Sequence, residues 1–221
     1  MPRATRRAIL AAALATPAIA HAQAAFPDRP LRLVVPFPPG GTADLLARLA
    51  ARDMEAGLGQ PVVIENRAGA GGAIGSEAVA RSAPDGYSLV LSNIASQAIG
   101  PAVNRGAPYD PDASFTHIGL IAAVPSAVAV SAASPFRTMA DLLAAARARA
   151  GAVRFGSNGN GTSSHVKLVL LNRLAGVDIT HVPYRGSAPA TTDVIGGVVE
   201  GLIAAVPDIV RFYRMRLLMI T

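Results

Sequence analysis

The sequence predicts an α/β fold with a mainly parallel sheet, and three features carry that prediction. Short apolar runs rich in valine, isoleucine and leucine recur at residues 31–35, 61–66, 87–92, 126–130, 153–157, 179–184, 198–205 and 216–221. Such runs suit strands covered on both faces. Stretches with apolar residues at helical spacing lie between most of them, the alternation expected of parallel crossover units. Glycine- and proline-rich corners punctuate the alternation. The 221-residue chain is 51% apolar and 15% charged, so it has ample material for a core. Aromatic residues make up only 5% and tryptophan is absent, which argues against an aromatic platform for nucleic-acid bases.

Residues 1–24 read as an export signal. Arg3, Arg6 and Arg7 form a positive head, residues 8–15 begin an apolar run, and Ala20-His21-Ala22 and Ala22-Gln23-Ala24 both have the small-x-small form of a cleavage site. Cleavage is expected near Ala22 or Ala24, and the product is expected in the periplasm. The twin arginines of Thr5-Arg6-Arg7-Ala8-Ile9-Leu10 also fit the twin-arginine route. The apolar run falls short of the roughly 20 residues a membrane span needs. Losing three arginines and no acid lowers the formal charge from +6 to +3, weak evidence for a polyanion, so no nucleic-acid partner is expected. Cysteine is absent, which excludes disulfides and thiolate metal sites.

The first strand, residues 31–35, stops at Pro36, Pro38 and Pro39, because proline donates nothing to a ladder. Gly40 and Gly41 let backbone approach a ligand, Thr42 is the expected N-cap, and Asp44 suits the helix dipole. Leu45, Leu46 and Leu49 form the expected apolar stripe of the helix. A corner of this kind leaves backbone N–H groups free for an anion.

Residues 61–66 are the second strand, followed by the glycine-rich residues 69–75 and a short helix over 76–81. Pro84-Asp85-Gly86 is a turn, and the third strand, 87–92, ends at polar Ser92 and Asn93. Gly100-Pro101 interrupts the helix after it. The apolar run 115–124 meets the run 126–130 across Pro125 with almost no connection, which places a change of domain there. Thr138-Met139-Ala140-Asp141 reads as a capping box opening a helix to Ala150, closed by Gly151. Residues 153–157 run as a strand into Asn158-Gly159-Asn160-Gly161-Thr162-Ser163-Ser164-His165, and a helix follows with Val166, Leu170 and Leu174 on one face. This repeats the strand, glycine loop, hydroxyl and helix of the first corner. A strand over 179–184, a helix after Pro189, a strand over 198–205 and a short helix from Pro207 complete the series before the run 216–221.

Gly69-x-Gly71-x-x-Ile74 lacks the third glycine of the dinucleotide fingerprint, and no phosphate loop or Gly-x-Ser-x-Gly elbow exists. His117, His165 and His181 show no i,i+4 metal spacing. No cofactor, metal or catalytic residue is therefore expected. His165, beside the second glycine loop, is a candidate ligand contact. His181 reads as a core or surface group.

Taken in order, Pro36-Phe37-Pro38-Pro39-Gly40-Gly41-Thr42-Ala43-Asp44, Glu65-Asn66-Arg67-Ala68-Gly69-Ala70-Gly71-Gly72, Ala83-Pro84-Asp85-Gly86-Tyr87, residues 156–165, and His181-Val182-Pro183-Tyr184-Arg185-Gly186-Ser187-Ala188-Pro189 resemble one family. They are similar to the Bug receptors, the extracytoplasmic solute-binding receptors of tripartite tricarboxylate transporters. The resemblance covers the chain from about Phe26 onward. It implies a two-lobed, type II periplasmic-binding-protein-like fold that closes on a small carboxylate, without catalysis, and delivers it to membrane transporter subunits. By position it implies a first grip from Phe37, Gly40, Gly41, Thr42 and Asp44. The second comes from Ser157, Asn158, Gly161, Thr162 and His165, with Tyr184 nearby and Ser92 and Asn93 at the rim. The implied lobes are 25–123 and 124–217, with 218–221 starting the return to the first lobe.

Family members run longer than this chain, so the resemblance implies a C-terminally truncated receptor, its first lobe incomplete; a complete one would be a monomer. An incomplete lobe would expose sheet edge and core face and favour aggregation. The competing expectations are a fragment that binds nothing and an exported α/β hydrolase.

Overall fold

A computed structural model of the chain describes residues 26–103, 106–210, 212 and 214–220. The expected export signal lies outside the described residues. Two sheets organise the rest. The first takes β1 (Leu31–Val35), β2 (Val62–Asn66) and β3 (Ser88–Val90) in the order β2-β1-β3, all parallel. Helix α1 (Thr42–Leu58) joins β1 to β2, and α2 (Ala73–Ala80) joins β2 to β3. A π-helical turn over Ala95–Ile99 and the short α3 (Gly100–Val103) follow β3.

The second sheet has the order β6-β5-β7-β4-β8. Its strands are β4 (Ser126–Ser131), β5 (Arg154–Ser157), β6 (Thr180–Pro183), β7 (Gly201–Ala205) and β8 (Met215–Ile220). Helices α4 (Met139–Ala148), α5 (Ser163–Ala175), α6 (Ser187–Ile195) and α7 (Val206–Val210) connect them. The parallel expectation holds for β6-β5-β7, but β4 runs antiparallel to both β7 and β8. An apolar run fixes a strand's burial but not its direction, so the reversal is invisible in sequence. Strand β8, which holds the residues expected to start a return to the first lobe, pairs along β4 with a register shift at Val128 and Ala129.

The Thr138 capping box forms as read: Asp141 N donates to Thr138 Oγ1 at 3.2 Å, and Thr138 N donates to Asp141 Oδ2 at 2.9 Å. Two helix faces differ from expectation. In α1, Leu45 and Leu49 are about half exposed while Ala47 and Ala51 pack on Leu31, Leu33 and Val35. In α5, Val166, Leu170 and Leu174 face outward while Leu168 and Leu171 join the core around Phe155 and Ile203. Both helices carry two apolar stripes, and the sheet takes the one with the closer fit.

The run 115–124 carries no helix or strand. Ile118 and Leu120 are 84% and 87% exposed. Exposed apolar chain of this kind binds hydrophobic dyes. Ile118→Lys is expected to lower anilinonaphthalene sulfonate fluorescence while changing stability by no more than about 0.5 kcal/mol, measured by melting.

Candidate functional site

The carboxyl ends of β1, β3, β5 and β7 open on one cavity of about 630 Å³. Ligands of α/β sheets sit at such strand ends. Of the residues expected to grip a ligand, Phe37, Gly41, Thr42, Ser92, Asn93, Asn158 and Thr162 line this cavity. Gly40, Asp44, Ser157, Gly161, His165 and Tyr184 are not part of its lining. They stand behind it, and their bonds show what they do.

The two corners share one construction. Gly40 adopts φ +80°, and its N–H donates to Asp44 Oδ2 at 3.0 Å. Gly161 adopts φ +70°, and its N–H donates to His165 Nδ1 at 3.2 Å. Both glycines occupy the left-handed region that other residues enter at a cost. In each case a side chain four residues on, in the helix's first turn, braces the loop. Asp44 is fully committed: Arg48 clamps it through Nε at 2.9 Å and Nη2 at 3.1 Å, and Asn66 Nδ2 reaches Oδ1 at 3.0 Å. Burial alone would raise its pKa, but the bonds from Arg48, the Gly40 N–H and Asn66 outweigh it and hold the carboxyl at about 2. Asn66 also donates to the Phe37 carbonyl at 3.1 Å, tying the proline loop to β2.

Behind the second corner, the His165 and His181 rings stack with centroids 4.0 Å apart and planes 9° from parallel. Ser157 Oγ lies 2.6 Å from His181 Nε2. Burial, and then the neighbouring His165, push His181 down to about 4. A serine–histidine contact invites a hydrolase reading, but Ser157 is fully buried and its hydroxyl also lies 3.3 Å from the Gly159 carbonyl, so no substrate reaches it. Tyr184 packs its ring against Gly156 and donates its hydroxyl to Asp193 Oδ2 at 2.7 Å. Burial and that bond push it up to about 12.

The helix caps also differ from expectation. Gly41 is the N-cap of α1, and Thr42 is its first helical residue. Thr42 N and Thr42 Oγ1 both donate to Asp208 Oδ1, each at 2.7 Å. Asp208 sits in α7 of the second lobe, so the first corner is capped from across the cavity. Thr162 is the N-cap of α5, but its hydroxyl donates to the Gly159 carbonyl at 2.7 Å instead of capping.

Sequence reading missed several polar residues of the site, Ser163 and Ser164 at the start of α5 among them. Asp208, Ser126 and Ser187 line the cavity and are buried. Lys167, the chain's only lysine, donates from Nζ to Ser126 Oγ at 2.8 Å, a cation just behind the wall. Ser187 follows Gly186 in the 181–189 motif, which was a usable signal. Asp208 had none, since its partner Thr42 is 166 residues away. Among the described residues no group of three or more histidines, cysteines or acids could hold a metal. None of their helices is long and apolar enough to cross a membrane.

Comparison with known proteins follows the same outline. Residues 46–221 match the family model described as tripartite tricarboxylate transporter family receptor. The chain is 38% identical over 210 residues to the protein BugT of Bordetella pertussis, covering 94% of this chain and 64% of BugT. Among solved structures, Rpa4515 of R. palustris with adipate superposes with a TM-score of 0.86 at 37% identity, over 89% of this chain and 67% of that one. MatC from Rhodopseudomonas palustris with bound malate gives 0.81 at 31% identity, over 88% and 67%. The periplasmic binding protein BugD gives 0.82 at 33% identity, over 89% and 66%. The chain spans 54 to 64% of the length of the first curated relatives it matches. Fold, corner motifs and family match agree: this α/β chain with a periplasmic-binding-protein fold belongs to the tripartite tricarboxylate transporter receptor family, a family of solute-binding proteins and not of enzymes.

Proposed function

We propose that this chain captures a small carboxylate between its two lobes as an extracytoplasmic receptor and presents it to membrane transporter subunits. One observation carries the reading: two braced glycine corners, from two different sheets, open on a single cavity. Backbone N–H groups at helix starts suit an anion without a buried arginine. The carboxylates held by Rpa4515 and MatC, adipate and malate, support the class of ligand. The export signal read at residues 1–24 supports placement outside the cytoplasm. Within the site, Phe37 and Gly41 serve the first grip while Thr42 holds Asp208 in the wall, Asn158 and Thr162 serve the second, and Ser92 and Asn93 the rim. Gly40, Asp44, Gly161 and His165 shape the loops, while Ser157 and Tyr184 support them from behind.

Calorimetric titration of this chain against mono- and dicarboxylates tests the proposal. Saturable binding to at least one, with a rise in melting temperature by mass action, is the expected result. No binding to any would favour a fragment without receptor activity. A Cβ at Gly161 would meet no neighbouring atom, yet Gly161→Val forces a β-branched residue to φ +70°. It is expected to weaken binding about tenfold in the same titration, since the left-handed conformation costs roughly 1–2 kcal/mol.

A further inference from the structure

Asp208 brings a carboxylate into a cavity read as taking carboxylates. It is 3% exposed, lines the cavity, and is the one acid or base among the residues lining it. Both of its hydrogen bonds, from Thr42 N and Thr42 Oγ1, fall on Oδ1. Among the described residues Oδ2 has no partner. Such an oxygen in a cavity wall accepts a hydrogen bond from whatever fills the cavity, because a buried carboxylate left short of donors is costly. Asn158, also in the wall, has a buried Oδ1 without a partner. The wall therefore offers two acceptors in need of donors, which a plain carboxylate lacks. Asp44, the acid that the sequence places nearest the first corner, cannot supply this contact: Arg48, Asn66 and Gly40 take up both of its oxygens.

We infer that the ligand is a carboxylate carrying a hydrogen-bond donor, a hydroxyl or an ammonium group, and that Asp208 reads this donor through Oδ2. The inference rests on the carboxylate-receptor reading and narrows it. One oxygen of Asp208 then holds the first lobe while the other selects the ligand. Ligands without the donor leave Oδ2 desolvated and unpaired, so they are rejected by a missing contact, not by a clash.

The test titrates this chain with three four-carbon dicarboxylates that differ at one carbon: succinate, malate and aspartate. At least one donor-bearing ligand should bind about tenfold or more tighter than succinate. Asp208→Asn keeps an acceptor for Thr42 and removes the charge. A preference for aspartate that falls about tenfold in Asp208→Asn assigns an ammonium. A preference for malate that survives Asp208→Asn but disappears in Asp208→Leu assigns a hydroxyl. The wild-type preference is itself a readout, so a variant that fails to fold does not block the test. Equal affinity for all three, or a preference unchanged in both variants, overturns the inference while leaving the carboxylate reading intact. Binding of none of the three, or of any other carboxylate, overturns that reading and this inference with it.

Discussion

Replacing Phe155 with alanine is expected to remove about 3–5 kcal/mol of stability, the cost of deleting a fully buried phenylalanine and leaving a cavity behind. Phe155 has no exposed surface and joins Val128, Leu142, Leu168, Ile179 and Ile203 in the largest core of the second lobe. Gly201 on the neighbouring strand has no room for a Cβ, which would lie 2.5 Å from the Phe155 ring, so the ring fills the space to the backbone. Gly201 has no side chain to extend into the gap. At about 2–4 °C per kcal/mol for a chain of this size, the melting temperature should fall by roughly 10 °C. Phe155 lies two residues before Ser157, where β5 runs into the second corner. The variant should also bind carboxylate more weakly at temperatures where it remains folded. A melting shift below about 3 °C would mean that the core around Phe155 is looser than its packing indicates.

Acidification is expected to destabilise the chain in two stages. His181 titrates near 4 in the folded protein, against 6.5 when unfolded. Its contribution is complete above pH 6.5 and is lost as pH falls toward 4, because the unfolded chain takes up the proton first. That loss amounts to about 3 kcal/mol. Asp44 titrates at about 2 when folded and 3.8 when unfolded. Its contribution is complete above pH 4 and is lost as pH falls toward 2, a further loss of about 2 kcal/mol. Denaturant unfolding at pH 7, 5 and 3 measures both stages. His181→Asn should flatten the pH 7 to 5 stage and leave the later one. A variant curve parallel to wild type between pH 7 and 5 would show that His181 is not the group responsible.

The corners were legible in sequence because they are local. Proline stops a strand and glycine permits φ +80° or +70° before a helix start, all within one decade of chain. The Thr138–Asp141 capping box was legible for the same reason. The roles of Asp44 and His165 were not. A side chain in the first turn of a helix points either toward the ligand or back to its own loop, and the residue types are the same in both cases. The buried faces of α1 and α5 were ambiguous as well, since each helix has two apolar stripes and only the sheet decides between them.

By itself the sequence determined the alternation of strands and helices, the two glycine corners and the family to which they belong. Each of these rests on contacts spanning a few residues, or on motifs that need no partner. Only the tertiary structure decided that β4 opposes its neighbours, that β8 pairs with β4, and that Asp208 caps α1 from the other lobe. Those outcomes join residues up to 166 positions apart. No local propensity encodes such a pairing, which is set by how two lobes close over one cavity.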